Sequence, residues 1–161
     1  MLTGVTTVQA GRPMTITGTN ATSVFGTTTD RAQLAPGCTH ADLVTPGPVD
    51  ARLNAYYRAS CFATAWPVIG ADGFGTGFGN SGVGIVRGPD QRNFDVAVVK
   101  RVPLSWPADG ARLEIRTEMF NAFNTSQFAN PDSVRTSPTF GVMSSTVVNQ
   151  RVLQLAVKLL F

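Results

Sequence analysis

Along 150–161 (QRVLQLAVKLLF) hydrophobic and polar positions alternate, with Leu153, Leu155, Val157, Leu159 and Phe161 on one face and Gln154, Ala156 and Lys158 on the other. A period of two predicts a β-strand. An unbroken apolar stripe of this length matches the about 9–11 residues that carry a tilted strand across a bilayer. The alternation recurs over 92–104 (RNFDVAVVKRVPL), where Phe94, Val96, Val98, Val102 and Leu104 oppose Asn93, Asp95, Ala97 and Arg101. Lys100 interrupts the apolar side near the strand end, from which a long cationic side chain reaches a membrane interface. After a short turn at Pro107, Asp109 and Gly110, the stretch 111–123 returns as a strand. It sets Leu113, Ile115, Thr117 and Met119 on one side and Arg112, Glu114, Arg116 and Glu118 on the other. A helix would scatter both classes around its axis. As a strand, the charged side must meet water or other charges, because burying an unpaired ion is strongly unfavourable. A further strand is predicted over 2–10, rich in Thr with Val5 and Val8, and ending at Gly11–Pro13.

Between these strands the pattern disappears. The stretch 12–91 is punctuated by Pro36-Gly37, Pro46-Gly47-Pro48 and Trp66-Pro67 and by the glycines crowded between 70 and 88, and 124–149 by Asn130-Pro131, Ser137-Pro138 and Phe140-Gly141. Both read as long polar loops, of a length uncommon in compact soluble domains and usually functional. The connections therefore run long, short, long, with the short turn on the same side as the C-terminus, an asymmetry characteristic of membrane barrels. The expected fold is all-β: an antiparallel meander of four long strands (2–10, 92–104, 111–123, 150–161) with long loops over 12–91 and 124–149.

Composition sharpens this picture. Charged residues make up 14% of the 161, against about 25% in soluble globular domains, so little charge is available to solvate a whole surface. The net charge of +3 comes from scattered Lys and Arg; a nucleic-acid binder would gather them into a stripe. No apolar window approaches the roughly 18 residues of a membrane helix, whereas membrane strands leave no such window. The opening MLTGVTTVQAG lacks the charged start and apolar run of a secretory signal, which leads to the expectation of a cytosolic chain or a piece of something longer. Cys38 and Cys61, both in loop-like sequence, fit no metal spacing. A loop disulfide in an oxidising compartment and two unrelated thiols both remain open.

Three stretches in order carry a resemblance. They are FGNSGVGIVRGPDQRNFDVAVVK (Phe78 to Lys100), RLEIRTEMFNAFNTSQFANP (Arg112 to Pro131), and FGVMSS followed by QRVLQLAVKLLF. Together they resemble the C-terminal part of TonB-dependent outer-membrane receptors, nearest to the Oar-like branch with its carboxypeptidase-regulatory-like domain. The shared order is a glycine-rich loop with Arg-Gly-Pro, an Asn-Phe-Asp strand start, an FN-x-FN strand end and a closing aromatic; Gly11-Arg12-Pro13 adds a weaker likeness. The resemblance implies a barrel of about 22 strands around a plug, with uptake driven by an energy-coupling protein of the inner membrane. Four strands cannot close a barrel whose smallest bacterial form has about eight. The expectation is thus a C-terminal piece of a transmembrane β-barrel that is not transport-competent alone. Its partners would be outer-membrane lipid, the remainder of the barrel and plug, the coupling protein and the barrel-assembly machinery. Leu153, Leu155, Val157, Leu159 and Phe161 resemble the signal that this machinery reads, by pairing an exposed strand edge with its own sheet.

Candidate chemistry is sparse. Gly77, Gly79 and Gly82 match a dinucleotide-binding glycine pattern, but 83–90 holds Gly84, Gly88 and Pro89 where that motif needs a helix. His40 is the sole histidine, flanked by Cys38 and Asp42, too few ligands for a metal and without a partner for acid–base work. Glu114 and Glu118, with Asp95, could be a glycosidase pair; interleaved with Arg112 and Arg116 they read as a salt-bridged lumen wall. Phe120 and Phe123 suit an aromatic girdle, and Tyr56, Tyr57, Trp66 and Phe128 suit loop anchors or a stacking surface. No catalytic residue, cofactor, metal or nucleic-acid partner is expected. The rival is a soluble secreted β-sandwich binding carbohydrate or protein, in which the apolar sides of the strands would pack inward.

Overall fold

The computed structural model describes residues 1–19, 28–63 and 78–161. The chain divides into two compact units, the first comprising Met1–Ala10, Asp90–Phe128 and Thr146–Phe161, the second Gly11–Pro89 and Ala129–Ser145. Among the described residues ten strands occur, in the order β1 (Leu2–Gln9), β2 (Pro13–Met14), β3 (Thr17–Thr19), β4 (Thr29–Arg31), β5 (Gln33–Leu34), β6 (Phe62–Ala63), β7 (Val86–Arg87), β8 (Gln91–Pro103), β9 (Arg112–Phe120) and β10 (Val152–Leu160). Among the described residues no helix is long and apolar enough to cross a membrane.

The first unit is one antiparallel sheet in the order β1-β8-β9-β10. Directly opposed residues in an antiparallel pair point to the same face, so the register fixes both faces. Leu2 lies opposite Val98, Val98 opposite Thr117 and Thr117 opposite Leu155. Val96, Met119 and Leu153 form a second such row, and Val102, Leu113 and Leu159 a third. Lys100 opposes Ile115 within this apolar face and is exposed. On the other face Arg101 opposes Glu114, which opposes Lys158, and Ala97 opposes Glu118, which opposes Gln154. Of the two valines that suggested the first strand, Val5 lies opposite Asp95 on the polar face and Val8 opposite Arg92 on the apolar one.

The strand ends depart from expectation by a few residues. The strand predicted over 111–123 stops at Phe120, because Asn121 takes a left-handed backbone (φ 49°) and Asn124 repeats it (φ 52°). Leu104 lies outside β8, its amide donating to the carbonyl of Ala111 across the turn. β10 begins at Val152, and its start is tied by the Arg151 amide donating to Asn124 Oδ1 at 3.0 Å.

The second unit corrects the expectation of irregular loops over 12–91 and 124–149. These segments contribute three short ribbons, β2 with β7, β3 with β4 and β5 with β6. Ile16, Ala32, Leu43, Tyr56, Tyr57, Phe62, Val86 and Met143 are buried. Tyr57, Phe62 and Phe140 stack within this core, and Cys38 is bonded to Cys61. Gly11, from the Gly-Arg-Pro likeness, is required by a close backbone approach: a Cβ there would lie 1.7 Å from the Gly88 carbonyl oxygen. These apolar residues are spread singly through sequence without a period, so periodicity could not reveal the core they form.

Candidate functional site

Strand geometry assembles the charged face. Arg101 Nε donates to Glu114 Oε2 at 2.7 Å from the neighbouring strand, and Arg116 donates to Glu118 at 2.7 Å along β9. Lys158 stands opposite Glu114 from β10, so one level of the sheet reads Arg101, Glu114, Lys158 across three strands. Arg112 lies at the end of β9 and makes no ion pair among the described residues. The structure thus brings Glu114, Arg116 and Glu118 together and adds Arg101 and Lys158, which only the cross-strand register could connect to them. Exposed pairs of this kind add little to stability because water and salt screen them, so their chief effect is to keep one face polar. Each of the two glutamates is held by an arginine, Glu114 by Arg101 and Glu118 by Arg116.

The opposite face carries the stripe of β10. Leu153 and Leu155 are each 67% exposed, Val157 and Leu159 are exposed as well, and Phe161 follows the strand. No second layer covers them within this unit, in contrast to the inward-facing apolar sides of a sandwich.

Where β8 begins and β9 ends, a polar knot closes the sheet. The Asp95 carboxylate accepts from the Asn121 amide at 2.9 Å and from Asn93 Nδ2 at 3.0 Å. The buried Asn121 side chain donates to the carbonyls of Thr125 and Asn149 and accepts from the Thr125 amide. Gln127, also buried, pairs with both backbone groups of Arg92 as a neighbouring strand would. Phe94 and Phe123 meet edge to face at 5.1 Å. The FN-x-FN signal marked this strand end in the sequence; the hydrogen bonds that Asn121 and Gln127 make there were not legible.

In the second unit several residues singled out for chemistry, Cys38, Asp42, Tyr56 and Gly79, have structural partners. Gly79 donates its amide to Asp30 Oδ2 at 2.9 Å, and a Cβ on it would sit 1.7 Å from the Arg31 carbonyl oxygen. That glycine serves close backbone packing, Gly82 adopts φ 78°, and β7, not a helix, follows; Gly77 lies outside the described residues, as does Trp66. Beside His40, Cys38 is bonded to Cys61, and Asp42 accepts from the amide and hydroxyl of Thr39 at 2.9 and 2.6 Å. These bonds, with Arg58 at 3.5 Å, hold the Asp42 carboxyl below its usual range. Asp132 is lowered in the same way, by bonds from the Ser137 hydroxyl, the Val134 amide and Thr139. Tyr57 is pushed up by burial and then by Tyr56 and Asp132. Tyr56 and Tyr57 are buried, with Tyr56 donating to the Arg87 carbonyl, so they form core packing and not an exposed stacking surface.

A family model described as an outer membrane beta barrel domain matches residues 1–154. No curated protein and no solved structure matches the chain. The family match spans β1, β8 and β9 and enters β10, the strands whose apolar sides form one uncovered face. It overturns both the cytosolic expectation and the soluble secreted β-sandwich, because a barrel of this family turns such an apolar face to the bilayer. The chain therefore belongs to the outer membrane beta barrel domain family, and its place is the outer membrane.

Proposed function

We propose that this chain is part of a TonB-dependent outer-membrane receptor of the Oar-like branch, and that it works in ligand uptake and not in catalysis. The observation that carries the reading is the row of charges crossing β8, β9 and β10 on the face opposite the apolar stripe. A wall that is apolar toward lipid and charged on its reverse suits a water-filled lumen. The ordered likeness of Phe78–Lys100, Arg112–Pro131 and the final strand to these receptors narrows the class. In such a receptor β1 and β10, which have no outer neighbour among the described residues, pair with further strands around a plug. Assembly by the barrel-assembly machinery and coupling to the inner membrane belong to the same proposal. Catalysis is set aside because Glu114 and Glu118 are engaged by Arg101 and Arg116, and the sequence offers a single histidine.

The immobilised periplasmic domain of the source organism's TonB tests this directly, with detergent-solubilised outer membranes as the sample. A polypeptide yielding peptides from 112–161 should be retained and then released by competing soluble TonB domain. Its passage through the column, while another TonB-dependent receptor in the extract is held, would contradict the proposal.

A further inference from the structure

The apolar face of the sheet carries cations and no acid. Within β1, β8, β9 and β10 the side-chain carboxylates are those of Asp95, Glu114 and Glu118, and all three lie on the polar face. Arg92 and Lys100 have the opposite parity, Arg92 facing Val8 and Lys100 facing Ile115. Arg151, just before β10, falls on the same side, because Gln150 and Val152 on either side of it both line a hollow of the polar face with Asn93 and Asp95. Arg92 and Arg151 are exposed, and neither side chain makes an ion pair or a hydrogen bond among the described residues. Across the sheet, by contrast, Arg101 and Arg116 are matched by glutamates.

Register fixes where the two arginines stand. Val96, Met119 and Leu153 form one row; two residues from it toward the long loops come Phe94 on β8 and Arg151 on β10, and two further on comes Arg92. Strand rise and spacing set the two arginine backbones about 12 Å apart. From Phe161 back to Arg151 is about 34 Å of strand, and a tilt of about 45° turns this into about 24 Å of depth, close to the height of a barrel's apolar band. Both arginines therefore lie at the rim of that band on the side of the long loops, which in an outer-membrane barrel is the outer leaflet. Phe94 and Phe123 mark the same level as a girdle would, meeting edge to face at 5.1 Å with Phe123 72% exposed. Gln127 pins the backbone of Arg92, and Asn124 Oδ1 accepts from the Arg151 amide, so both side chains leave from fixed points.

Guanidinium groups take phosphate oxygens in pairs. A phosphate free in solution would gain little from two exposed cations screened by salt, whereas a phosphate carried on acyl chains also gains apolar contact along the Val96, Met119 and Leu153 row. Lipid A, the anchor of lipopolysaccharide in the outer leaflet, is a disaccharide with a phosphate at each end and several acyl chains. We infer that Arg92 and Arg151 form a site for the two phosphates of one lipid A headgroup. This goes beyond the uptake reading and rests only on the barrel family and the strand register.

The test uses the complete barrel protein, purified from outer membranes, freed of lipid by exchange into detergent, and titrated with bisphosphorylated lipid A while bound lipid is counted by native mass spectrometry. Parallel titrations use lipid A stripped of both phosphates, phosphatidylglycerol and inorganic pyrophosphate. Bisphosphorylated lipid A should bind with a Kd of about 10 μM or tighter, and removal of its phosphates should weaken binding by about tenfold or more. Arg92→Gln with Arg151→Gln should cause the same loss. Arg92→Lys with Arg151→Lys should lose less, keeping the charge without the fork, and Lys100→Gln, toward the other end of the apolar face, should change nothing. Heat-modifiable gel mobility confirms folding, and the phosphate-stripped lipid on the unaltered protein decides the matter should a variant not fold. Equal binding of the stripped lipid, unchanged binding by the folded glutamine pair, or phosphatidylglycerol or pyrophosphate binding as tightly as lipid A overturns the inference.

Discussion

At Asn121 a single amide joins the end of β9 to the loop that follows and to the approach of β10. Its left-handed backbone (φ 49°) would be unfavourable for most residues, and its side chain makes three hydrogen bonds, to the Thr125 amide and to the Thr125 and Asn149 carbonyls. Asn121→Ala keeps the strain and orphans these groups, so a loss of about 3 kcal/mol is expected. The urea midpoint of receptor folded into lipid vesicles checks it, with Asn121→Gly falling between, because glycine removes the strain alone. Tyr57 gives a prediction of opposite pH sense. Burial places its native value above the ordinary 10.0, so the stability it contributes is whole below pH 10 and is lost as pH rises through the native value. The difference in phenolate absorbance between wild type and Tyr57→Phe should therefore appear only above pH 10.0, together with loosening of the second unit. Asp42 and Asp132 work in the other direction. Their native values lie below the ordinary 3.8, so their contribution is present above it and is lost as pH falls through the lowered values, and protease sensitivity of 28–63 should rise only at more acid pH.

The long strands are the elements that sequence shows most clearly, because one face of each meets a single kind of surroundings and the period of two survives. Leu153, Leu155, Val157 and Leu159 were legible as one stripe, and the register carries it across Met119, Thr117, Ile115 and Leu113 of β9. The strand ends were not legible, since a strand stops where side chains such as Asn121 and Gln127 take over the backbone's hydrogen bonds. The pairing of Arg101 and Lys158 with Glu114 was also hidden, because register belongs to two strands and each was read alone. A charge placed on either face separates their surroundings. Leu155→Arg should destabilise the sheet in lipid vesicles by about 2–4 kcal/mol, whereas Gln154→Arg, opposite Glu118, should change little. Equal effects of the two substitutions on urea unfolding would remove the distinction between the faces.

For the whole molecule, two units of different construction share one chain. The sheet derives from periodic sequence, while the second unit gathers Ile16, Leu43, Phe62 and Phe140 from segments that look like loops and bridges Cys38 to Cys61, 23 positions along the chain. For a chain loop of that size a disulfide contributes about 3 kcal/mol. Reduction, or paired Cys38→Ser and Cys61→Ser substitution, should expose 28–63 to protease and leave β8, β9 and β10 protected. Early cleavage within the sheet would show instead that its stability depends on the bridge. The central claim is that the Leu153–Leu159 stripe faces hydrocarbon and the reverse side faces water. Spin labels placed singly along 152–160 in outer-membrane vesicles, with the two native cysteines bridged, measure this most directly. Relaxation by oxygen should peak at Leu153, Leu155, Val157 and Leu159, and relaxation by a water-soluble nickel complex at Gln154, Ala156 and Lys158. Peaks in the reverse phase, or no alternation at all, would contradict it.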